Sequence, residues 1–124
     1  MKEALRYLKN ARERLKSAPV EDNTYTDVKP VREACGTAYL AVLKAIDDYL
    51  LEKGVERKKL PKSFEAYMEM FRKYALIHDG KQIREFDKLY DLLHIAGYYR
   101  GLLKDVAVVK DAIKAAEDFI KKLK

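Results

Sequence analysis

Four side chains capable of chemistry lie between residues 87 and 98, namely Asp87, Asp91, His94 and Tyr98. On an α-helical wheel at about 100° per residue they fall within a sector of about 60°, beside the apolar face of the same segment. Asp91 and His94 are three residues apart, where a carboxylate can orient an imidazole and favour its charged form. We predict that this stripe is a binding site at the edge of a pocket or interface, with acid–base catalysis and metal ligation as alternatives.

A second pair, Arg72 and His78, has five residues between its members. Six residues along an α-helix rotate a side chain by about 240°, so the two share a face only if the break at Asp79-Gly80 bends the chain. Our main prediction assigns no residue a catalytic role. Arg72 and His78 are the alternative catalytic pair.

Gly97 and Gly101 follow the stripe within a helical pattern. A glycine inside a helix costs about 1 kcal/mol relative to alanine, so something must compensate for each. Their spacing of four on the core side predicts a close approach of another helix, and Gly101 is also suited to end the helix.

The elements that position these residues are predicted to be helices, because apolar residues recur at helical spacing along the chain. A loop without strands is expected over 17–25, where Pro19, Asp22 and Asn23 indicate turns. The second helix is apolar over nearly half of its circumference and is therefore expected at the centre. The pattern predicts an all-α, mostly antiparallel bundle in a single domain over 1–124, with about five helices over 2–17, 27–53, 64–78, 81–100 and from about 105.

Several residues have predicted local roles. Gly54 is expected to end the second helix, and Ser63 to cap the third. Asp79 and Gln82 have the spacing of a capping box for the fourth helix. Arg12 falls inside the apolar arc of the first helix and is expected to extend along the margin of the core.

Bulk properties exclude several function classes. The chain has 124 residues and a formal net charge of +6, and its basic excess is spread over the first helix, the loop 53–62 and the last five residues. This distribution indicates a solvated surface and leaves nucleic-acid binding as an alternative. No apolar run approaches the 18 or so residues of a membrane span, and the first residues predict an amphipathic helix, so we expect a cytoplasmic protein without a membrane partner. The single cysteine, Cys35, is expected to be buried.

Motifs for phosphate loops, zinc sites, nucleophile elbows and calcium loops are missing from the sequence, and no cofactor or metal is predicted. Nine tyrosines without a tryptophan provide amphipathic contact surface for a pocket or an interface.

The segment 34–46, ACGTAYLAVLKAI, resembles the tyrosine-containing second helix of HEPN-type helical domains. The first-helix run 4–15, the stop at Gly54 and the pair Tyr98-Tyr99 are also similar to that group, and the resemblance covers roughly residues 2–101. It implies a helical bundle that often dimerises, and in active members a metal-independent ribonuclease with an Arg-x4-6-His motif. Here only Arg72 and His78 match that motif.

Three functions follow from these observations. The first is a non-catalytic binding or assembly module that associates with a protein partner or with itself, or holds a small-molecule ligand between helices. The second is an RNA-binding or ribonuclease domain of the HEPN type. The third is an engineered or redesigned helical scaffold, because Lys/Glu-rich helices are typical of redesigned surfaces.

Overall fold

The computed structural model describes residues 1–75 and 80–123, and in these residues four helices pack around one long central helix. The central helix, α2, packs against α1, α5 and a π-helical segment that continues α4. This arrangement confirms the predicted all-α bundle. The helices are α1 (Lys2–Lys16), α2 (Val28–Glu52), α3 (Phe64–Ala75), α4 (Gly80–Leu89), the π-helical segment (Tyr90–Tyr99) and α5 (Val106–Lys122).

The central position of α2 follows from its composition. The helix begins at Asp27, whose carboxylate accepts a hydrogen bond from the Lys29 backbone N–H at 3.0 Å, and it ends before Gly54, which has a φ of +97°. Small and β-branched residues cover so much of its surface that neighbouring helices approach it on several sides. Its side chains with no exposed surface are Val31, Ala34, Cys35, Ala38, Ala41, Val42, Ala45, Ile46 and Leu50.

A cluster of three phenylalanines forms the part of the core where α3, α4 and α5 meet. Phe71 lies edge-on to Phe86 and to Phe119, with ring centroids 6.1 and 6.0 Å apart, and Phe86 stacks on Phe119 at 6.4 Å. All three side chains are buried. Each contributes about 2–3 kcal/mol through apolar burial, in addition to the favourable geometry of the ring pairs.

The connection between α1 and α2 is a β-hairpin and not the predicted structureless loop. Its strands, β1 (Val20–Glu21) and β2 (Thr24–Tyr25), are antiparallel with Val20 opposite Tyr25. Asp22 and Asn23 between them both have positive φ, 51° and 61°, the conformation that a two-residue hairpin turn requires and that Asp and Asn tolerate. The strands are too short to show alternation, which is why periodicity missed them.

The hairpin also packs against the residues that precede α5. The Tyr25 N–H donates to the Lys104 carbonyl at 2.7 Å, and the Val106 N–H donates to the Asn23 carbonyl at 3.0 Å. Asp105 then begins α5 by accepting from the Val108 N–H at 3.0 Å. The hairpin is thereby fixed to the first turn of α5.

The predicted fourth α-helix over 81–100 is α-helical only as far as Leu89. From Tyr90 to Tyr99 the backbone is π-helical, with hydrogen bonds from each N–H to the carbonyl five residues before it, as from Arg100 to Ile95 at 2.8 Å. The α-helical wheel therefore does not apply beyond Leu89. Apolar spacing alone could not distinguish the two helix types, because both place residues four apart on nearly the same face.

Smaller predictions have mixed outcomes. Arg12 is half-buried, and its guanidinium pairs with Glu117 of α5 at 3.2 Å. Ser63 caps α3 as expected by accepting from the Ala66 N–H at 3.1 Å. The predicted end of the third helix and the capping residue Asp79 lie outside the described residues. No helix in the described part of the chain is long and apolar enough to cross a membrane.

The π-helical segment approaches α2 most closely at Gly97. A Cβ atom at this position would lie 2.7 Å from both Cβ and Sγ of Cys35, so only glycine fits there. This contact confirms the predicted close approach for Gly97. Gly101, in contrast, lies beyond the helix with a φ of +62° and ends the segment. A Cβ there would meet only the Arg32 side chain of α2, at 3.2 Å.

We expect Gly97→Ala to lower the free energy of unfolding by about 1–3 kcal/mol, because the added methyl overlaps the Cys35 side chain. Gly80→Ala is the matched control, since a Cβ there would meet only the end of the Arg84 side chain at 3.3 Å. Chemical denaturation of both variants measures the difference.

Cys35 supplies a second measurement of the same contact. Its thiol is buried, and burial raises its pKa to about 11, so the reactive thiolate is scarce at pH 8 and labelling requires local opening. Gly97→Ala should speed thiol labelling while Gly80→Ala should not. Equal stability and equal labelling in the two variants would contradict the packing role of Gly97.

Candidate functional site

Residues four apart in the π-helical segment form rows along one face, because a turn that contains more than four residues brings position i+4 close to position i. One row, Leu89, Leu93 and Gly97, is buried against the core. The next row, Tyr90, His94 and Tyr98, lies at the margin between core and solvent.

The rings of this marginal row stack on one another. Tyr90 and His94 have ring centroids 5.4 Å apart with an interplanar angle of 29°, and His94 and Tyr98 are 5.9 Å apart at 17°. Phe64, the first residue of α3, extends the stack by lying on Tyr90 at 3.8 Å and 19°. We call these four residues, Phe64, Tyr90, His94 and Tyr98, the aromatic row.

Tyr39 of α2 lies behind the aromatic row and fixes it to the core. Its ring is 5.0 Å from that of His94 and 5.9 Å from that of Tyr90. Burial raises the pKa of Tyr39, so its hydroxyl remains protonated at any physiological pH. Tyr39 therefore supports the exposed rings with an uncharged surface.

Two residues of α2 position the end of the row. Gly36 leaves room for the Tyr98 ring, because a Cβ at this position would be 2.8 Å from Tyr98 Cδ1. Arg32 donates hydrogen bonds from its guanidinium to the carbonyls of Tyr98 and Tyr99 at 2.8 and 2.9 Å. A cation at these carbonyls also complements the negative end of the helix dipole.

A cleft of about 260 Å³ opens between the aromatic row, α2 and the start of α3. Its apolar surface comes from rings and from Leu43, and Lys62, Ser63 and Glu65 add polar groups. We call this cleft the aromatic cleft; it is lined by Tyr39, Leu43, Lys62, Ser63, Phe64, Glu65, Tyr67, Tyr90 and His94.

Tyr67, one of the lining residues, has a half-buried polar partner. Its hydroxyl donates to Asp47 Oδ1 at 2.9 Å. Burial raises the pKa of the Asp47 carboxyl above its usual value, an effect that the hydrogen bond from Tyr67 opposes. Burial and the neighbouring carboxylate both raise the pKa of Tyr67. The Tyr67 hydroxyl is thus a protonated donor already engaged with Asp47.

The structure brings two of the four predicted site residues together and separates the others. His94 and Tyr98 stack in the aromatic row, whereas Asp87 and Asp91 are exposed and belong to a different row of the helix. In the described part of the chain no hydrogen bond or ion pair joins Asp91 to His94. The wider π-helical turn explains the separation, because three residues span a smaller fraction of that turn.

The alternative catalytic pair is only half described. Arg72 is exposed on α3, and His78 lies outside the described residues. Among those that are described, no group of three or more His, Cys, Asp and Glu side chains could hold a metal ion. The described residues thus assemble aromatic surface, and they assemble no set of ligands for a metal.

The sequence patterns did not identify Tyr39, Leu43, Phe64 or Tyr90 as site residues. One signal was available: the rings at 90, 94 and 98 recur at intervals of four, which brings them close together in a helix.

We expect Gly36→Ala to disrupt the end of the aromatic row with little cost in stability, about 1 kcal/mol or less. The new methyl overlaps the Tyr98 ring, which is 46 % exposed and free to rotate outward. In the NMR spectrum, the His94 ring protons should shift downfield as the Tyr98 ring leaves. Gly80→Ala is the control, and an unchanged His94 shift in Gly36→Ala would contradict the assigned contact.

Comparison with known proteins places this architecture in a family. A solved protein of unknown function from Dyadobacter fermentans is 33% identical, with a TM-score of 0.79 over 98% of this chain and 90% of that chain. The search of curated proteins gave no match. The descriptions of the Dyadobacter fermentans protein and of the matching family mention neither a HEPN domain nor an engineered origin. The HEPN-like and engineered interpretations therefore stay predictions. The family model for the domain of unknown function DUF5618 matches residues 1–124, and the chain therefore belongs to the DUF5618 family.

Proposed function

We propose that the chain is a non-catalytic binding module that accommodates a small aromatic ligand in the aromatic cleft. The observation that carries the proposal is the aromatic row, which borders a cleft of about 260 Å³. A cavity of about 150 Å³ is sufficient for benzene, so a single substituted ring or a fused pair fits this volume. The π-helical geometry adds support, because π-helical turns are rare and frequent at functional sites.

The lining residues favour a ring that carries a neutral polar group. Lys62 and Glu65 contribute opposite charges to the lining, so neither a cation nor an anion is strongly preferred. The His94 imidazole can donate or accept a hydrogen bond. Phe64, Tyr90 and Tyr39 supply ring faces and edges that pair with a ligand ring in offset or edge-to-face geometry. Phenols and indoles have this combination of properties.

Indole binding tests the proposal. We expect a dissociation constant on the order of 1 mM, as befits a fragment-sized ligand, measured by saturation-transfer NMR and by shifts of the His94 ring protons. Leu43→Trp fills the cleft from α2 and should weaken indole binding at least tenfold. Tyr99→Ala is the matched control: Tyr99 is 69 % exposed on the same segment but does not line the cleft, so affinity should not change.

The unfolding midpoint of Leu43→Trp shows whether that variant retains its fold. Indole binding of equal strength in the wild type and in a folded Leu43→Trp would contradict the proposal. Failure of indole, phenol and p-cresol alike to bind the wild type would also contradict it.

A second candidate function is RNA binding of the HEPN type. It is favoured by the short helical turn Arg57–Lys59, whose three basic side chains precede the aromatic cleft in sequence, with Lys62 lining the cleft itself. Basic residues beside stacking rings are the combination that proteins use for single-stranded nucleic acids.

For this candidate we expect an oligouridine to bind at low salt with an affinity that falls steeply as salt rises, because phosphate contacts release counterions. Fluorescence anisotropy at several salt concentrations measures the slope. Arg57→Ala combined with Lys62→Ala should reduce the slope, and His78→Ala should stop any cleavage. A response that does not depend on salt would exclude RNA as the ligand.

A further inference from the structure

A second cavity lies on different elements of the fold, between the end of α1, the β-hairpin and the start of α5. Its volume is about 640 Å³, within the range of about 300–1,000 Å³ that small-molecule pockets occupy. None of the residues that line the aromatic cleft contributes to it. We call this cavity the basic groove.

The floor of the basic groove is apolar and well packed. Leu15, Ala18, Tyr25 and Ile113 each line it, and each is less than a tenth exposed. Burial raises the pKa of Tyr25, which keeps its hydroxyl uncharged. The floor therefore offers a ligand an apolar surface without a buried charge.

The walls of the groove carry four cations and a single acid, Asp111. Two of the cations already have carboxylate partners. Arg12 pairs with Glu117 at 3.2 Å, and Lys114 pairs with Asp118 at 2.5 Å. These two side chains are therefore partly neutralised before any ligand arrives.

The other two cations, Lys16 and Lys110, are not neutralised in this way. Within the described residues neither ammonium group has a carboxylate within 4.0 Å. Lys16 lies in the last turn of α1 and Lys110 near the start of α5, so the two approach the groove from different helices. An anion between them would gain two charge-assisted hydrogen bonds.

The hairpin forms one side of the groove. Its backbone hydrogen bonds to Lys104 and Val106 fix it to the first turn of α5. Val20, on the first strand, lines the groove and is 53 % exposed. An apolar ligand in the groove would cover this side chain, and the removal of its apolar surface from water would favour binding.

We infer that the basic groove binds an amphipathic anion, a carboxylate that carries a medium-length apolar chain. The carboxylate pairs with Lys16 and Lys110, and the chain lies along the floor and against Val20. Nothing in this inference depends on the aromatic cleft or its ligand.

Isothermal titration with octanoate tests the inference. Affinity should rise about fourfold for each added methylene from hexanoate to octanoate, since each buried methylene contributes a fixed increment. Octylammonium, which has the same chain and the opposite charge, should bind at least tenfold more weakly than octanoate. Equal binding of octanoate and octylammonium would overturn the inference, because the cations would then have no role.

Charge-reversal variants test whether octanoate binds in the basic groove. Lys16→Glu combined with Lys110→Glu should weaken octanoate binding at least tenfold. Lys2→Glu combined with Lys81→Glu is the matched control, because it changes the net charge equally at exposed lysines that do not line the groove. Equal loss in both double variants would overturn the inference, since a general charge effect would then explain the binding.

The Leu43→Trp variant separates this groove from the aromatic cleft. Octanoate should bind this variant as it binds the wild type, whereas indole should not. Loss of octanoate binding in a folded Leu43→Trp would overturn the inference by placing the carboxylate in the aromatic cleft. If indole fails to bind the wild type while octanoate binds and depends on Lys16 and Lys110, the proposed function fails and this inference stands.

Discussion

The contact between Gly97 and Cys35 is the constraint on which the functional part of the molecule depends. It brings the backbone of the π-helical segment against α2, with no space for a side chain on one partner. Tyr39 reaches the rings of Tyr90 and His94 because the two helices lie this close. A larger residue at 97 would move the whole segment outward and separate Tyr39 from the rings that it supports.

Small residues also permit close helix packing on the other side of α2. Ala34, Ala38, Ala41 and Ala45 have no exposed surface, and they allow α1 to approach the central helix. Alanine costs little side-chain entropy on burial and has the highest helix propensity, so α2 can be buried on several sides without losing its helical preference. The largest fully buried side chains, Phe71, Phe86 and Phe119, come from α3, α4 and α5.

Much of this fold was predictable from the sequence because its helices are long and their apolar residues are periodic. The bounds of α1, α2 and α5 and the cap at Ser63 follow from patterns within a few residues of each position. The hairpin and the π-helical segment do not, for different reasons. Two-residue strands have no period to detect, and the π-helical bonding of Tyr90–Tyr99 depends on how the segment packs against α2.

The candidate site was predictable in part for the same reason. His94 and Tyr98 were identified because they are unusual residues in a helical pattern, and four-residue spacing brings them together in either helix type. Asp91 was grouped with them by an α-helical wheel that does not describe this backbone. Phe64 and Leu43 come from other elements, and their contribution to the cleft depends on tertiary packing that no local pattern encodes.

The row geometry of the π-helical segment makes its length as important as its composition. Removing one residue would let a turn return to α-helical bonding and would rotate every later side chain by about 100°. Tyr98 would then leave Gly36, and the carbonyls that Arg32 binds would face elsewhere. Within the family, we therefore expect substitutions among Asp91, Ile95 and Tyr99 to be tolerated more readily than any insertion or deletion between Leu89 and Gly101.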